Sequence, residues 1–457
     1  MTWTFERKLL AAAVLAWAVI AVMNLGWGPP LGHDEAAFAV VGRGVDGWIY
    51  RSRGLAAVAR IGLALGGADW QMRLPSAVLG LGALLAVYTV GRTVFDARTG
   101  AWAAAVIAGA HPMVARNAEL LSDLPAMAGV LFGVAILAHE LMRPGGPRWR
   151  LALAAPAFAA AFYLRYGSVP VIAVAGAAAL VLWWRAIVAR PAPVLVTIAL
   201  FVALLVPHFR DSTELTGSAL GVLRFSSGVP RRAYWGEGLV TYLTSDPFVY
   251  YGAIVTPVIV VAFAGLARRL RTRGAWLLAI VAIGQVIAIG IESHGQPRYV
   301  FIAVALLVVL GVASIRQIIA PRITPIVAPH RLALAAVAAA WLAVAIAIIP
   351  YDRRVAAARA SVVAAAIAIR LDHAAHPDAP CFVFASVVPQ IMWYAACDGK
   401  PKHLFDHVHD LPGAPGARYL ASTSYGAADG AAFAAAHGLT ARELPTLHPR
   451  TRVWALH

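Results

Sequence analysis

Charged residues are scarce in this 457-residue chain: Asp, Glu, Lys and Arg together make up 13%, whereas hydrophobic residues make up 61%. A soluble protein of this length needs far more polar surface to cover its core. The mean hydropathy is +0.73, and apolar runs of roughly 20 residues, the length of a transmembrane helix, recur along the sequence. The composition therefore excludes a soluble globular protein and predicts a polytopic membrane protein.

Lysine is almost absent, and Lys8, Lys400 and Lys402 are its only occurrences, so the net charge of +16 comes from arginine. A charge of this size is often a sign of nucleic-acid binding. Here, however, the arginines mostly lie in short turns between apolar runs, as cytoplasmic loops of membrane proteins do. Membrane lipids are expected partners, and nucleic acid is not.

Cysteine is limited to Cys381 and Cys397. No metal-ligand spacing accompanies them, which excludes a cysteine-based metal site. The two residues could form a disulfide in an oxidising compartment or remain as buried thiols, and the sequence leaves both readings open. Tandem repeats are also lacking, which argues against a transporter built from internal repeats.

About eleven apolar segments are long enough to be candidate spans. They lie at residues 9–27, 74–91, 99–114, 122–141, 151–165, 168–184, 193–209, 248–267, 274–291, 299–315 and 331–350. We interpret the first as a retained helix, since it is long for a signal peptide and no clear cleavage site follows. The short pair at 151–165 and 168–184 could be one broken helix instead of two crossings.

The arginine distribution predicts the orientation. With the N-terminus in the cytoplasm, the inside turns are short and each carries two or more arginines, in agreement with the positive-inside rule. The outside segments then collect nearly all the Asp, Glu and His of the membrane part. We therefore expect the chemistry on the extracytoplasmic face of a cell (inner) membrane.

The chain changes character after residue 350. Residues 355–374 and 429–438 have helical patterns, whereas "PCFVFAS", "ARYLAST" and "TRVWALH" have the pattern of short buried strands. We predict two domains: a transmembrane domain at 1–350 and a small extracytoplasmic α/β domain at 351–457.

The stretch "LGHDEAAFAV" places His33, Asp34 and Glu35 directly after the first apolar run. Carboxylates in such a loop can converge on a substrate. Two structural readings stay open: Asp34 as the N-cap of the following helix, or a solvated loop pair.

Two further groups of ionisable residues lie at the ends of apolar runs. Arg116, Glu119 and Asp123 belong to "ARNAELLSDLP", and ionisable groups at membrane depth are functional candidates. For Asp123 the alternative is a structural role as the N-cap of the following helix. His294, Arg298 and Tyr299 belong to "HGQPRY", where arginine next to a helix start suits a phosphate. Interfacial anchoring by the Arg–Tyr pair is the alternative for the second group.

Several outside loops contain arginines, contrary to the topological bias. They are Arg43, Arg51, Arg53, Arg165, Arg210, Arg224, Arg231 and Arg232. An anionic lipid-linked substrate would explain them, and so would lipid headgroups. We take the following residues as candidate substrate-loop contacts: His33, Arg51, Arg53, Arg165, Tyr166, Arg231 and Arg232.

Three motifs, in this order, resemble those of a known group. They are the first-loop acidic pair Asp34–Glu35, the segment "ARNAELLSDLPAMAGVLFGVAIL" with Asp123, and "HGQPRY". The chain resembles the GT-C glycosyltransferases that use polyprenyl-phosphate sugars, in the branch of the protein O-mannosyltransferases and aminoarabinose transferases. The resemblance covers roughly residues 1–350, and "MRLPSAVLGLGALLAVYTVGRTVFDARTG" resembles the second and third helices of that group.

The resemblance implies a membrane all-α GT-C-like bundle, and an enzyme that moves a sugar from a polyprenyl-phosphate donor to an extracytoplasmic acceptor, with inversion. Asp34 would be the general base, Glu35 would orient it or hold the acceptor, and Asp123 would be a second acidic group. Arg298, His294, Tyr299 and Arg116 would bind the donor phosphate. A divalent cation is left open, with Asp34 and Glu35 as its ligands.

Two other functions are compatible with the sequence. A transporter or flippase of a lipid-linked or anionic solute would place ionisable groups and broken helices at the bilayer midplane. A non-catalytic scaffold would leave the clustered carboxylates without a role.

Overall fold

The structure, a computed structural model, describes residues 4–44, 51–143, 148–228, 233–268, 270–319, 329–375, 377, 381–385, 388–401, 417–422, 430–436 and 438–457. It is mainly helical and forms two compact units. The first comprises Met1–Leu25, Ile49–Leu55 and Arg73–Ile348. The second comprises Gly26–Trp48, Ala56–Met72 and Ile349–His457. No pattern in the sequence indicates that residues 26–44 and 56–72 belong to the same unit as the C-terminal part.

The helices follow the apolar runs of the sequence. They are α1 (Phe5–Trp27), α2 (His33–Gly42), α3 (Arg53–Ala64), α4 (Asp69–Val94), α5 (Ala97–Ile107), α6 (His111–Val114), α7 (Asp123–Met142), α8 (Ala154–Leu164), α9 (Val169–Val188), α10 (Ala192–Thr216), α11 (Gly221–Gly228), α12 (Glu237–Thr244), α13 (Pro247–Tyr251), α14 (Val255–Arg268), α15 (Arg273–Glu292), α16 (Phe301–Ser314), α17 (Pro329–His373), α18 (Val388–Ala395) and α19 (Gly430–Ala436).

Within the described residues, eight helices are long and apolar enough to cross a membrane, which confirms the multi-pass prediction. The predicted count of about eleven is not confirmed. The remaining candidates fall on shorter helices: α5, which stops at Ile107, α8 with its preceding 3-10 turn, and α14. The predicted span 248–267 is divided at Gly252, whose φ of +100° ends α13 because a left-handed residue cannot continue a helix.

The centre of the first unit is α16. All fourteen of its residues, Phe301–Ser314, are buried, and it packs against α14, α15 and α5. A helix that is apolar on every side lies either in a protein core or in a membrane, and α16 is surrounded by neighbouring helices. A 3-10 turn at Pro297–Val300 precedes α16, and this turn carries Arg298 and Tyr299.

The second unit contains a five-stranded sheet of order β2-β1-β3-β5-β4. Its strands are β1 (Cys381–Ala385), β2 (Asp398–Pro401), β3 (Ala417–Ser422), β4 (Ala441–Leu444) and β5 (Arg452–Leu456). The β1–β2 and β1–β3 pairs are parallel, whereas β3–β5 and β4–β5 are antiparallel. The small C-terminal α/β region predicted from the sequence is therefore present.

The sheet is covered on both faces, because alternate residues of a strand point to opposite sides. On one face, Val383, Tyr419 and Val453 pack with α18 and with Val362 and Ile369 of α17. On the other face, Phe384, Leu420 and Trp454 pack with α19. The three layers explain why these short strands are almost wholly apolar.

Cys381 and Cys397 form a disulfide, with their Cα atoms 4.9 Å apart. Cys381 opens β1, and Cys397 lies two residues after the end of α18. The bond therefore closes the β1–α18 connection, and a closed loop of about this length is typically stabilised by roughly 3 kcal/mol. This resolves the alternative that the sequence left open.

Candidate active site

A break between two apolar helices places Arg165 at the site. It separates α8 from α9, and Arg165 adopts an extended backbone (φ −156°, ψ 114°) before a single 3-10 turn at Tyr166–Ser168. The break lies at the sequence "RYGS", residues 165–168. The Arg165 guanidinium donates a hydrogen bond to Asp123 Oδ1. The sequence left open whether 151–165 and 168–184 are one broken helix. They form a short helix, α8, and a longer one, α9, and Arg165 lies at the turn between them.

Asp123 is the buried anion of the site. It is the first residue of α7, and Ser122 is the N-cap. Its side chain is only 3% exposed, and Arg298 Nη1 lies 3.9 Å from Oδ2. A buried carboxylate needs such partners, because removing an unpaired charge from water costs several kcal/mol. Asp123 therefore holds two arginines, which belong to different segments, around one carboxylate.

Arg298 is fixed from its other side by a chain of polar groups. Its Nε donates to Gln296 Oε1 at 2.6 Å. The amide nitrogen of Gln296 lies 2.8 Å from His294 Nε2. Because the Gln296 oxygen already accepts from Arg298, its nitrogen is the donor and His294 Nε2 the acceptor. His294 thus holds the Gln296 side chain, and Gln296 in turn holds the Arg298 guanidinium.

Tyr299 lies beneath both guanidinium groups. The Arg165 Cζ is 4.7 Å from the centre of the Tyr299 ring, and the Arg298 Cζ is 5.4 Å from it. Arginines favour this position over an aromatic face, where the ring quadrupole attracts the cation. The ring also meets His294 edge-on, with centroids 5.8 Å apart. Both arginines therefore pack against the same aromatic ring, that of Tyr299.

Gln285 of α15 secures the turn that carries Arg298 and Tyr299. Its amide nitrogen donates to the Tyr299 carbonyl at 2.8 Å, and its oxygen accepts from the Ala303 backbone N–H at 2.6 Å. The first turn of a helix has N–H groups without intrahelical partners, so Gln285 supplies one for α16. Sequence reasoning missed this residue, whose only signal is a single amide in an otherwise apolar run.

The loop 293–296 is held against α12. The Gly238 N–H donates to the Ser293 carbonyl at 2.8 Å, and Tyr242 donates to the Gln296 carbonyl at 3.3 Å. Burial raises the pKa of Tyr242, so its hydroxyl stays protonated and can donate. Gly295 has a φ of +81°, and a Cβ there would lie 2.6 Å from Thr241 Cβ. Both features require glycine at this position.

These groups line a small pocket that is partly open to solvent. Its polar lining comes from Asp123, Arg165, Ser168, Gln285, Arg298 and Tyr299. The charged residues of this lining are two arginines and one aspartate, so cationic groups outnumber anionic ones around the pocket. Guanidinium groups match phosphate oxygens in a two-pronged geometry. The pocket is chemically suited to a phosphate.

Arg116 lines a second, narrower pocket on another side of Asp123. It forms an ion pair with Glu119 at 2.8 Å, and Ser76 and Asn117 complete the polar lining. Of the predicted phosphate ligands, Arg298 and Tyr299 share the first pocket and His294 adjoins it. Arg116 belongs to the second.

The acidic pair of the first loop lies in the second unit. Gly32 is the N-cap of α2, which begins at His33, so Asp34 does not have the N-cap position that one reading gave it. Glu35 is 2% exposed, accepts from the Gly32 N–H at 2.8 Å and lies 3.6 Å from Arg359 Nη1. Asp34 is half-buried, and His33 is exposed.

The remaining predicted contacts are distributed elsewhere. Arg53 pairs with Asp211 of α10, and Arg51 is half-buried. Tyr166 is buried between Phe162 and His208, with ring centroids 5.3 and 5.1 Å away. Arg231 and Arg232 lie outside the described residues. Among the described residues, no three His, Cys, Asp or Glu side chains come together in a way that could hold a metal ion.

Comparisons with known proteins agree with this fold. The family model for dolichyl-phosphate-mannose-protein mannosyltransferases matches residues 54–210. No curated protein matches the sequence. The crystal structure of ArnT from Cupriavidus metallidurans in the apo state covers 98% of this chain and 97% of its own, at 15% identity, with a TM-score of 0.71.

The same ArnT bound to undecaprenyl phosphate gives a TM-score of 0.72 at 16% identity over 98% of this chain and 97% of its own. The Archaeoglobus fulgidus oligosaccharyltransferase, in complex with Zn and sulfate, gives 0.57 at 15% identity over 86% and 62%. The predicted GT-C fold is confirmed. The matched segment is similar to the mannosyltransferase family and the fold is similar to that of ArnT, in agreement with the sequence resemblance to GT-C glycosyltransferases. These comparisons do not favour the transporter alternative.

Proposed function

We propose that the enzyme transfers a sugar from a polyprenyl-phosphate donor to an extracytoplasmic acceptor, and that the pocket at Asp123 binds the donor phosphate. The observation that carries this proposal is the arginine pair: Arg165 and Arg298 share one buried carboxylate and one aromatic ring in a partly open pocket. The fold likeness to ArnT bound to undecaprenyl phosphate supports a lipid-linked donor.

In this proposal the pocket stabilises the leaving group. When the bond between the anomeric carbon and the phosphate oxygen breaks, negative charge develops on that oxygen. Arg165 and Arg298 are held in place beforehand by Asp123, Gln296 and Tyr299, so they meet this charge without rearrangement. Such preorganised donors are typically worth about 10²–10³ in rate each. Asp123 acts here as the residue that positions the arginines.

We propose Asp34 as the general base. It removes the proton from the acceptor hydroxyl or amine while that nucleophile attacks the anomeric carbon. The polyprenyl phosphate leaves with the bonding electrons, so one displacement inverts the anomeric centre. Asp34 suits this role better than Glu35, because Glu35 is buried and engaged by Gly32 and Arg359, whereas Asp34 is half-exposed.

The experiment that tests this function is a donor panel. Purified protein is incubated with undecaprenyl phosphate carrying mannose, glucose or 4-amino-4-deoxyarabinose, together with a membrane extract as the source of acceptor. We expect one donor to be consumed and free undecaprenyl phosphate to accumulate, as followed by mass spectrometry. Transport of an intact donor across a proteoliposome membrane, with no release of undecaprenyl phosphate, would contradict the proposal.

We also propose that the C-terminal unit and the chemistry lie on the extracytoplasmic side. The Cys381–Cys397 disulfide supports this side, because such bonds persist in oxidising compartments. An epitope tag after His457 is expected to be labelled by antibody in spheroplasts without detergent. A tag after Arg271, in a predicted inside turn, is the control and should require detergent. Detergent dependence of the His457 tag would overturn the orientation.

A further inference from the structure

The helix α2, which carries Asp34, is held by a second helix more than 350 residues further along the chain. Within the second unit, the Leu31 N–H donates to the Tyr394 hydroxyl at 2.6 Å. The same hydroxyl donates to Asp69 Oδ2 at 2.7 Å. Tyr394 thus uses one oxygen both to accept from the backbone just before α2 and to bond a carboxylate at the start of α4.

The other end of α2 is fixed to the same helix, α18. Arg43, the residue after α2, donates to the Met392 carbonyl at 3.0 Å. Its guanidinium also lies 5.3 Å from the centre of the Trp393 ring. Three consecutive residues of α18, Met392 to Tyr394, therefore hold both ends of the short helix that carries Asp34.

A third contact holds the backbone immediately before Asp34. Arg359 of α17 donates to the Pro30 carbonyl and lies close to Glu35, which itself accepts from Gly32. The helix α18 is in turn bracketed by the disulfide, since Cys381 opens the preceding strand and Cys397 follows its last turn. The position of residues 30–43 is therefore defined by the C-terminal half of the second unit.

We propose that Tyr394 is a positioning residue for Asp34, and that the C-terminal α/β region contributes to sugar transfer by fixing α2 and the residues just before it. The inference rests on the proposed function of Asp34 as the base. A base has to be held near its productive geometry, and a displacement of about 1 Å can cost roughly a hundredfold in rate. Tyr394 positions Asp34 indirectly, through its hydrogen bonds to Leu31 and Asp69. It is not itself a residue that contacts the reacting atoms.

The test compares two Tyr→Phe variants of the full-length protein. Tyr394→Phe removes the hydroxyl that holds Leu31. Tyr419→Phe is the matched control: its hydroxyl also bonds a carboxylate of the same unit, Asp372, at 3.0 Å. Hydrogen exchange is measured for the peptide that contains the Leu31 amide, and kcat and donor KM are measured with the donor that the panel identifies.

We expect the Leu31 amide to exchange about three- to tenfold faster in Tyr394→Phe than in the wild type, and to be unchanged in Tyr419→Phe. The kcat should fall roughly ten- to a hundredfold in Tyr394→Phe alone, with the donor KM unchanged. Asp69→Asn weakens the same hydroxyl bond without removing the ring, and should shift both readouts in the same direction by less. It serves in place of Tyr394→Phe should that variant fail to fold.

Two results would overturn the inference: equal Leu31 exchange in the two Tyr variants, or faster exchange with a wild-type kcat. Neither bears on the base assignment itself, which is tested by Asp34→Asn. Full activity of Asp34→Asn would remove the base assignment while the exchange data still showed whether Tyr394 holds the loop.

Discussion

Asp34→Asn is expected to abolish sugar transfer, with kcat lowered by about 10²–10⁴, the usual contribution of a positioned general base. The amide keeps the size and polarity of the carboxylate but cannot accept the proton of the acceptor. Folding should be unaffected, because the N-cap of α2 is Gly32 and the buried acid of the loop is Glu35. The measurement is single-turnover transfer with saturating donor, together with the thermal unfolding midpoint.

The matched control is Asp246→Asn. Asp246 is exposed and caps α13 by accepting from the Phe248 N–H at 2.9 Å, and asparagine caps a helix equally well. This variant should keep wild-type transfer. An Asp34→Asn enzyme with wild-type kcat and unchanged stability would exclude Asp34 as the base.

Arg298→Ala should lower the donor kcat/KM by about 10²–10³, because one of the two cations around the leaving phosphate is lost. Asp123 keeps Arg165 as a partner, so the site retains its fold but not its positive charge. Arg298→Lys should recover part of the activity, since lysine restores the charge without the two-pronged geometry. Steady-state kinetics over a donor series at saturating acceptor measure the effect.

Arg271→Ala is the control for the loss of an arginine. Arg271 is exposed in the turn between α14 and α15, and its removal changes the net charge by the same amount. Its kinetics should match the wild type. If Arg298→Ala and Arg271→Ala shift kcat/KM equally, the phosphate role of the pocket is wrong and only the overall charge matters.

Much of the arginine site could be predicted because charges are expensive at the ends of apolar runs. Asp123, Arg165, Arg298 and Tyr299 each interrupt or border such a run, and the structure brings all four into one pocket. Gln285 and Gln296 could not be found in this way. A single amide has no periodicity. The partners of these two amides, backbone groups for Gln285 and the Arg298 side chain for Gln296, come near them only in the folded chain.

The first loop shows a different limit. The sequence indicates two adjacent acids but not which one is buried. Glu35 is buried because Gly32 and Arg359 supply its partners, and Arg359 is more than 300 residues away in the chain. The same holds for Tyr394 and Leu31. Contacts of this separation follow from tertiary packing, and no local pattern predicts them.

The strands of the C-terminal unit could be predicted only in part, because only the central strands have a clear apolar pattern. The strands β1, β3 and β5 are apolar and central in the sheet, so their patterns are clear. The strands β2 and β4 lie at the edges, are four residues long and carry charged side chains, as edge strands often do. Their sequences "DGKP" and "AREL" have no pattern that distinguishes them from loops.

The most direct test of the central claim is the binding of undecaprenyl phosphate to the purified protein, compared with undecaprenol, the same lipid without the phosphate. The pocket at Asp123 predicts saturable binding of the phosphate form, competition by inorganic phosphate at high concentration, and much weaker binding in Arg298→Ala. Equal affinity for the two lipids, unchanged in Arg298→Ala, would contradict a phosphate site at Arg165 and Arg298.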